Sequence, residues 1–203
     1  MIRFVANKMP INFQQQKIFI HIPKNAGTSI TRSWQGFAME GHHTVEFYKV
    51  FLKNKFEDYE TFCVIRDPMD RFVSNYNYAR ATKSFWHDVS GNAKYGKHPD
   101  YDKVVNLSLE ETAVLLDKEQ EKFGIHWYPQ SYWISSGGEI SIDKIYNFET
   151  IEKDLLQNYN IKLKTLNKIE RSEIEISKKT LEIIRKIYKE DYELIDKMGG
   201  LQK

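Results

Sequence analysis

The sequence predicts an α/β fold, a three-layer P-loop-like domain with a central parallel sheet flanked by helices. Three observations support this prediction. Apolar runs at 17–22 and 61–65 are typical of buried strands, and each is followed by a helix signal. Strands that alternate with helices along a chain are typical of parallel sheets. A tight loop with one lysine joins the first strand to its helix, where such folds bind phosphate groups.

The remaining elements follow in chain order. Val45, Tyr48 and Leu52 share one helical face. Asp67 is a good N-cap, and Pro68 suits the first position of a helix. The predicted elements of the first half are a strand at 17–22, helices at about 28–36 and 44–53, a strand at 61–65 and a helix from residue 68.

The second half begins with a long polar and aromatic stretch at 83–106, in which glycine and proline interrupt regular structure. Long loops in compact domains are usually functional, so we expect this loop to contact the substrate. Ser108 and Glu111 form a capping box, and Ser177 caps a closing helix whose inward side chains include Leu181. The other predicted elements are a helix at 108–122, a strand at 144–148 and a helix at about 149–158.

Length and composition limit the possible classes of protein. The 203 residues fit one domain, 1–203, in which 1–16 is an N-terminal extension. The net charge of +2 and the lack of a long basic tract argue against a nucleic-acid partner. Cys63 is the only cysteine, which excludes an intrachain disulfide and a cysteine zinc site. No membrane span or signal peptide is visible, so we expect a cytoplasmic protein.

The first candidate anion site is the loop after the first strand. Gly27 allows close approach of the backbone, and Thr28 and Ser29 add hydroxyl donors at a helix N-terminus. Lys24 precedes Gly27 by three positions, whereas a Walker A loop places its lysine directly after the last glycine. The loop therefore predicts a phosphate-like ligand held in a different arrangement from that of nucleotide kinases.

The second candidate anion site follows the second strand. Arg66 lies just beyond the strand, and Ser74 lies two helical turns later, where it can point back to the same corner. Parallel strands bind ligands at their carboxyl ends, so both sites face one cleft and suit a ligand with two separated phosphates. The alternative is that Arg66 and Arg71 form surface ion pairs with Asp67 or Asp70.

These motifs resemble those of the sulfotransferases that use 3′-phosphoadenosine 5′-phosphosulfate (PAPS), most closely the carbohydrate branch called sulfotransferase family 2. The segment that resembles their 5′-phosphosulfate loop is PKNAGTS at 23–29, and the segment that resembles their 3′-phosphate motif is CVIRDPMDRFVSNY at 63–76. Weaker similarities are HWYPQ at 126–130, YNFETIEKD at 146–154 and YKEDY at 188–192. The resemblance extends from about residue 17 to 195.

The resemblance implies a role for each matching position. Lys24 would contact the oxygen that bridges phosphate and sulfate, and Arg66 and Ser74 would hold the 3′-phosphate. The 5′-phosphate would lie on the rest of the loop, Asn25, Ala26, Gly27, Thr28 and Ser29. PAPS would be the co-substrate and 3′-phosphoadenosine 5′-phosphate (PAP) the product, and no metal is required. His43 is the first candidate for the general base and His42 the second. The alternative is that both are exposed loop or capping residues.

The sequence predicts the acceptor in less detail than the donor. A small-molecule or glycan hydroxyl fits the resemblance, and the 83–106 loop, with Trp86 and Tyr95, is a candidate acceptor wall. His126 is a lesser candidate for substrate contact, and His21 is expected to be a core histidine. Two other functions stay open, a divergent P-loop kinase or NTPase and a non-catalytic nucleotide-binding module. Oligomeric state is not predicted.

Overall fold

The computed structural model describes residues 9–37, 41–87, 93–164 and 175–201, and of 85–87, 93 and 94 it describes the backbone alone. A four-stranded sheet has the order β1-β2-β3-β8. Strands β2, β3 and β8 are parallel, and β1 runs antiparallel to β2 at the edge. The strands of this sheet are β1 (Ile11–Asn12), β2 (Lys17–Ile20), β3 (Glu60–Ile65) and β8 (Lys144–Asn147).

Helices connect the strands and cover both faces of the sheet. Two short hairpins lie outside the sheet, β4 (Ser84–His87) with β5 (Ala93–Gly96) and β6 (Ser135–Ser136) with β7 (Glu139–Ile140). The helices are α1 (Gly27–Ser33), α2 (Val45–Leu52), α3 (Pro68–Ala79), α4 (Tyr101–Val104), α5 (Leu109–Glu119), α6 (Gln130–Ile134), α7 (Ile151–Tyr159), α8 (Lys178–Ile187) and α9 (Lys189–Lys197). Short 3₁₀ turns occupy Lys53–Asp58, Gln120–Lys122 and Ile125–Trp127.

Alternating side chains of the central strands build two separate cores. Ile18 and Ile20 pack with α2 and α6 on one face, whereas Phe19 packs with α1 and α7 on the other. Successive side chains of a strand point to opposite faces, and a strand covered on both sides is apolar throughout. The three-layer α/β architecture predicted from the sequence is confirmed.

A third core joins helices α3, α5 and α8 beside the sheet, around Phe72, Leu116, Trp127 and Ile184. The predicted caps are present. The Asp67 side chain accepts a hydrogen bond from the amide of Asp70, and Ser108 forms a complete capping box with Glu111. This helical core supports the 126–130 segment, which lies beside the candidate site.

The structure corrects four local expectations. The 83–106 segment is not one long loop, because its described parts form the β4–β5 hairpin and helix α4. Part of the 1–16 extension forms β1, which caps the edge of the sheet. Leu181 is not inward, since 38% of it is exposed. The predicted closing helix is two helices, with the break at Tyr188, whose hydroxyl donates to the Trp127 carbonyl at 2.9 Å.

Among the helices of the described ranges, none is long and apolar enough to cross a membrane. Within the same part of the chain, no group of three or more histidine, cysteine, aspartate or glutamate side chains is arranged to hold a metal ion.

Candidate active site

The two predicted anion sites lie side by side at one edge of the sheet. Strands β2 and β3 are parallel neighbours, with Ile20 paired to Cys63, so the segments that follow them leave the sheet together. The Arg66 guanidinium donates to the Lys24 carbonyl at 3.4 Å. Two segments far apart in sequence therefore form one cationic corner at the carboxyl ends of the strands.

The loop between β2 and α1 is held in an uncommon backbone conformation. Lys24 and Ala26 have φ values of 69° and 61°, in the left-handed region that non-glycine residues rarely adopt. Such residues cost about 1–3 kcal/mol each and cluster at ligand sites. A left-handed residue next to a right-handed one, as Ala26 stands before the first helical residue Gly27, turns successive amides toward one concave side, the geometry of anion-binding loops.

Helix α1 starts without a side-chain cap. Its N-cap is Ala26, which makes no capping hydrogen bond, and the first turn contains no acidic residue. Thr44, Asp67, Ser108 and Ser177 cap helices α2, α3, α5 and α8 with their own side chains, whereas the N-cap residues of α4, α6, α7 and α9, like that of α1, make no such bond. The first amides of a helix need partners, and an anion satisfies them.

Gly27 is required at this helix start by packing. A Cβ atom on Gly27 would lie 1.8 Å from Nε2 and 2.0 Å from Cδ2 of the His21 imidazole. The glycine therefore lets the ring of His21 lie directly against the loop. His21 is buried and stacks on Phe19 at 5.4 Å between ring centroids, which agrees with its prediction as a core histidine.

One buried amide joins the two loops. The Gln130 side chain accepts from the Arg66 amide at 2.9 Å and from Asn25 Nδ2 at 2.6 Å, and it donates to the Arg66 carbonyl at 2.9 Å. Asn25 Nδ2 also lies 2.7 Å from the Val64 carbonyl. The Asn25 side chain is therefore part of the scaffold, and a ligand would meet its backbone instead.

Arg71 holds the same corner in place through hydrogen bonds to backbone carbonyls. Its guanidinium donates to the carbonyls of Pro23, Tyr128 and His126, at 3.1, 3.0 and 3.0 Å. Asn75, one turn later on α3, donates to the same His126 carbonyl. These bonds tie the Lys24 loop to the 126–130 segment, so Arg71 is not a surface ion pair.

A buried carboxylate completes this scaffold. Asp191 accepts hydrogen bonds from the amides of Gln130 and Ser131, both at 2.8 Å, and so caps helix α6 from helix α9. A carboxylate at a helix N-terminus compensates the exposed amides there. The position of Gln130, and with it the spacing of the two loops, depends on this contact.

Lys24 and Arg66 form the electrostatic centre of the corner. The Lys24 ammonium lies 4.0 Å from the ring centroid of Tyr78, and the Arg66 guanidinium lies 4.3 Å from that of Phe148. Burial, and then repulsion by Arg66, lower the pKa of Lys24 to about 8. Two adjacent cations in a partly buried cleft favour a ligand with several negative charges.

The histidines of 42–43 lie in different surroundings. His42 Nδ1 is 2.7 Å from the His21 carbonyl, and its ring lies 4.2 Å from that of His21 and 5.5 Å from that of His126. His43 instead stacks on Phe47 at 4.2 Å, and burial lowers its pKa. The structure therefore places His42, not His43, in the group that surrounds Lys24, Tyr78 and His126.

Comparison with known families gives one match. The model of a sulfotransferase family matches residues 10–196 of the chain. The chain belongs to the sulfotransferase family. No match was found among curated proteins, and none among solved structures. The family assignment supports sulfuryl transfer as the general chemistry of the chain.

The other predicted site residues of this sulfotransferase lie around the same corner or outside it. Thr28 and Ser29 are in the first turn of α1, and both are partly buried. Ser74 lies on α3, one turn before Tyr78, on the helix face that supports Lys24. Tyr95 is 73% exposed on the β4–β5 hairpin, and the side chain of Trp86 lies outside the described residues.

Several residues that organise this corner of the sulfotransferase had no predicted role. Gln130 and Asp191 belong to the HWYPQ and YKEDY segments, which were noted only as family similarities. Their roles depend on contacts between segments distant in sequence. Tyr78 had only a weak signal in the sequence, because its spacing places it on the same face of α3 as Arg71 and Asn75. His98 is buried against His126, with 3.3 Å between ring nitrogens, although its loop suggested acceptor contact alone.

Proposed function

We propose that this sulfotransferase transfers the sulfuryl group from PAPS to a hydroxyl of a carbohydrate-like acceptor and releases PAP. The observation that carries the proposal is the pair of cations, Lys24 and Arg66, beside a helix start without a side-chain cap. PAPS has a 5′-phosphosulfate and a separate 3′-phosphate, so its charge distribution fits two adjacent cationic sites. The whole chain, 1–203, is taken as one sulfotransferase domain in this proposal.

The donor is held by the two loops. The backbone of Asn25 and Ala26 with Gly27, Thr28 and Ser29 binds the 5′-phosphate, and Arg66 with Ser74 binds the 3′-phosphate. Charge-assisted contacts of this kind are each worth roughly 1.5–3 kcal/mol. Lys24 lies at the bridging oxygen, where negative charge grows as the S–O bond breaks. A donor aimed at developing charge lowers the barrier by about 3–4 kcal/mol.

The acceptor hydroxyl must lose a proton as its oxygen bonds to sulfur. We assign this proton to His42, because the contact with the His21 carbonyl fixes its tautomer. A carbonyl only accepts, so His42 Nδ1 bears the hydrogen and Nε2 has the lone pair of a base. The proton moves to His42 Nε2, the new O–S bond forms, and the electron pair of the broken S–O bond leaves with PAP.

His43 is the alternative base, and the two histidines give a matched test. His42→Asn is expected to lower the rate of transfer by roughly 10²- to 10⁴-fold with little change in PAP affinity. His43→Asn is expected to retain most activity, because its ring packs on Phe47. Loss of activity in His43→Asn alone, with PAP affinity unchanged, would return the role of base to His43.

The acceptor side of the cleft is assigned to the β4–β5 hairpin. Tyr95 is exposed there, and an exposed aromatic ring stacks on the C–H face of a sugar. Trp86 and His126 are the other acceptor-contact candidates. Tyr95→Ala should therefore raise KM for the acceptor and leave PAP affinity unchanged.

The central experiment compares PAP with AMP, which lacks only the 3′-phosphate. PAP is expected to raise the melting temperature far more than AMP, ADP or ATP at the same concentration. Transfer is then measured with ³⁵S-labelled PAPS and a panel of desulfated heparan, desulfated chondroitin and N-acetyllactosamine. Equal stabilisation by PAP and ADP, or stronger stabilisation by ATP with magnesium, would favour a kinase or NTPase. PAP binding without transfer would favour a non-catalytic module.

A further inference from the structure

Two buried histidines, His98 and His126, lie next to the cleft, and the backbone fixes the tautomer of His98. His98 is 2% exposed, and its Nδ1 accepts a hydrogen bond from the Asp100 amide at 3.1 Å. An amide only donates, so Nδ1 of His98 carries no hydrogen, and in the neutral ring the hydrogen is on Nε2. The Asp100 carboxylate is 3.7 Å from the same nitrogen, beyond hydrogen-bond distance.

Asp100 is itself held firmly. Its carboxylate accepts from the Gly124 amide at 3.0 Å, the Trp127 indole at 3.1 Å and the Lys103 ammonium at 2.7 Å. With its side chain committed to three donors, Asp100 presents its amide to His98 in one orientation. The tautomer of His98 is therefore a consequence of the fold.

The tautomer of His98 in turn fixes the tautomer of His126. His98 Nε2 lies 3.3 Å from His126 Nδ1, so the hydrogen on His98 is donated to His126. His126 then has a bare Nδ1, and its own hydrogen must be on Nε2. Both rings are neutral near pH 7, since burial lowers the pKa of His98 to about 4 and that of His126 well below its usual value.

The hydrogen on His126 Nε2 points away from His98, because Nδ1 of the same ring faces His98 and the two nitrogens of one imidazole ring point in nearly opposite directions. The ring is bordered by His42 at 5.5 Å and by Tyr78 at 5.9 Å, and the Tyr78 ring supports the Lys24 ammonium. Within the described ranges, no residue accepts a hydrogen bond from His126 Nε2. A donor of fixed direction therefore lies between the proposed base and the lysine.

We propose that His126 is a catalytic hydrogen-bond donor to a sulfuryl oxygen of the bound donor substrate, and that His98 is the positioning residue that fixes it as a donor. This inference rests on the proposed function. The base meets the acceptor and Lys24 meets the bridging oxygen, so the group between them is the sulfuryl group. His126 keeps its proton throughout the reaction.

The two histidines at the cleft then differ in role through their tautomers alone. His42 has its hydrogen on Nδ1, bound to a carbonyl, and offers a lone pair. His126 has its hydrogen on Nε2 and offers a donor. A neutral imidazole N–H is a very weak acid, so His126 can stabilise charge without giving its proton to the substrate.

The tautomers can be measured without any substrate. Long-range ¹⁵N–¹H spectra of the full-length protein, labelled at histidine nitrogens and recorded at pH 7, should show the Nε2–H form for His98 and His126. His42 should show the Nδ1–H form in the same spectra. A Nδ1–H form or a charged ring at His126 would overturn the proposal, whatever the activity of the protein.

Matched variants test the catalytic part. His126→Phe keeps the shape of the ring without a donor, and we expect its kcat for transfer from PAPS to fall roughly 100-fold. His126→Gln retains an N–H group and should recover a substantial part of that loss. PAP has no sulfuryl group, so its affinity should change less than threefold in both variants. His98→Leu should shift the His126 tautomer and lower kcat, whereas His98→Gln, which can still donate, should do so less.

The outcomes separate this inference from the proposed function. Normal transfer by His126→Phe would overturn the inference and leave the proposed function intact. A loss of PAP affinity as large as the loss of kcat would place His126 at a phosphate and overturn the sulfuryl contact. Absence of PAPS-dependent transfer in the wild-type protein would overturn both proposals.

Discussion

Arg66 and Arg71 come from one motif and are both buried, yet the structure uses them in different ways. Arg71 donates to three backbone carbonyls from two parts of the chain, Pro23 and the 126–130 segment. Arg66 stacks on Phe148, makes a long bond to the Lys24 carbonyl and lies beside a second cation. The guanidinium nitrogens of Arg71 all meet backbone carbonyls, whereas the Arg66 guanidinium lies beside the Lys24 ammonium and lowers its pKa by repulsion.

The difference separates a scaffold from a binding surface. A buried guanidinium is tolerated when its donors are satisfied, and removing it leaves the acceptors without partners. A cation next to another cation is unfavourable until an anion arrives, so its contribution appears on binding. The comparison predicts that Arg71 determines folding stability and that Arg66 determines affinity for the donor substrate.

The largest expected effect is on folding, in Arg71→Met. Methionine fills part of the volume but leaves the carbonyls of Pro23, His126 and Tyr128 without their donor. We expect the free energy of unfolding to fall by roughly 3–5 kcal/mol, measured by urea denaturation. Much of the total stability of an ordinary domain would then be lost.

Arg71→Lys is the control for charge. Lysine keeps the positive charge but has no planar fork, so it cannot reach three carbonyls in different directions. Arg71→Lys should therefore remain destabilised, by at least half as much as Arg71→Met. Full recovery by lysine would mean that charge, and not the three hydrogen bonds, accounts for the role of Arg71.

The second effect is on binding, in Arg66→Met. The long side chain still packs on Phe148, but the guanidinium is lost. PAP affinity should fall by about 10- to 150-fold, which corresponds to roughly 1.5–3 kcal/mol, while unfolding in urea changes by less than about 1 kcal/mol. AMP affinity, measured by calorimetry beside PAP, should change much less. An equal loss for AMP and PAP would remove Arg66 from the 3′-phosphate site.

The contrast between the arginines also shows what the sequence could predict. Local signals predicted the central strands, the cap at Asp67 and the loop around Lys24, because each depends on neighbouring residues. Arg66 and Arg71 could not be distinguished by such signals, since their difference lies in partners distant along the chain. Only the fold brings Pro23 and the 126–130 segment to Arg71.

The same reason explains the incorrect expectations. Glycine and proline in 83–106 predict breaks, but Gly96 lies in β5 opposite Ser84, and strand pairing is set by tertiary contacts. The break at Tyr188 has no glycine or proline signal, because it depends on a hydrogen bond to Trp127. His42 and His43 are adjacent in sequence, so only their packing separates them.

The third prediction concerns the contribution of Lys24 to folding stability, which should be unfavourable if Lys24 belongs to the binding surface. Lowering of the Lys24 pKa from 10.5 to about 8 corresponds to roughly 3 kcal/mol of unfavourable burial of charge, offset in part by the contact with Tyr78. Lys24→Met should therefore raise the melting temperature of the ligand-free protein by roughly 2–6 °C and abolish transfer. A lower melting temperature would show that Lys24 stabilises the fold.

The sign of the pH dependence checks the same prediction. The unfolded chain binds more protons at Lys24 than the folded chain between about pH 8 and 10.5, so this residue makes wild-type stability rise with pH in that window. Below pH 8 both states are protonated, and the contribution is constant. The rise should be absent in Lys24→Met, which is matched to the wild type at all other titrating groups.

The smallest expected effect concerns PAP affinity above pH 8. The ligand-free protein loses the Lys24 proton through a pKa of about 8, whereas a bound phosphate favours the charged amine. Each unit of pH above 8 should therefore weaken PAP binding by up to about tenfold, because binding must take up a proton. A guanidinium is not deprotonated over this range, so Lys24→Met should bind PAP weakly but with an affinity independent of pH. Calorimetry of both proteins from pH 7 to 10 measures this difference. A parallel decline in the variant would show that a group other than Lys24 titrates on binding.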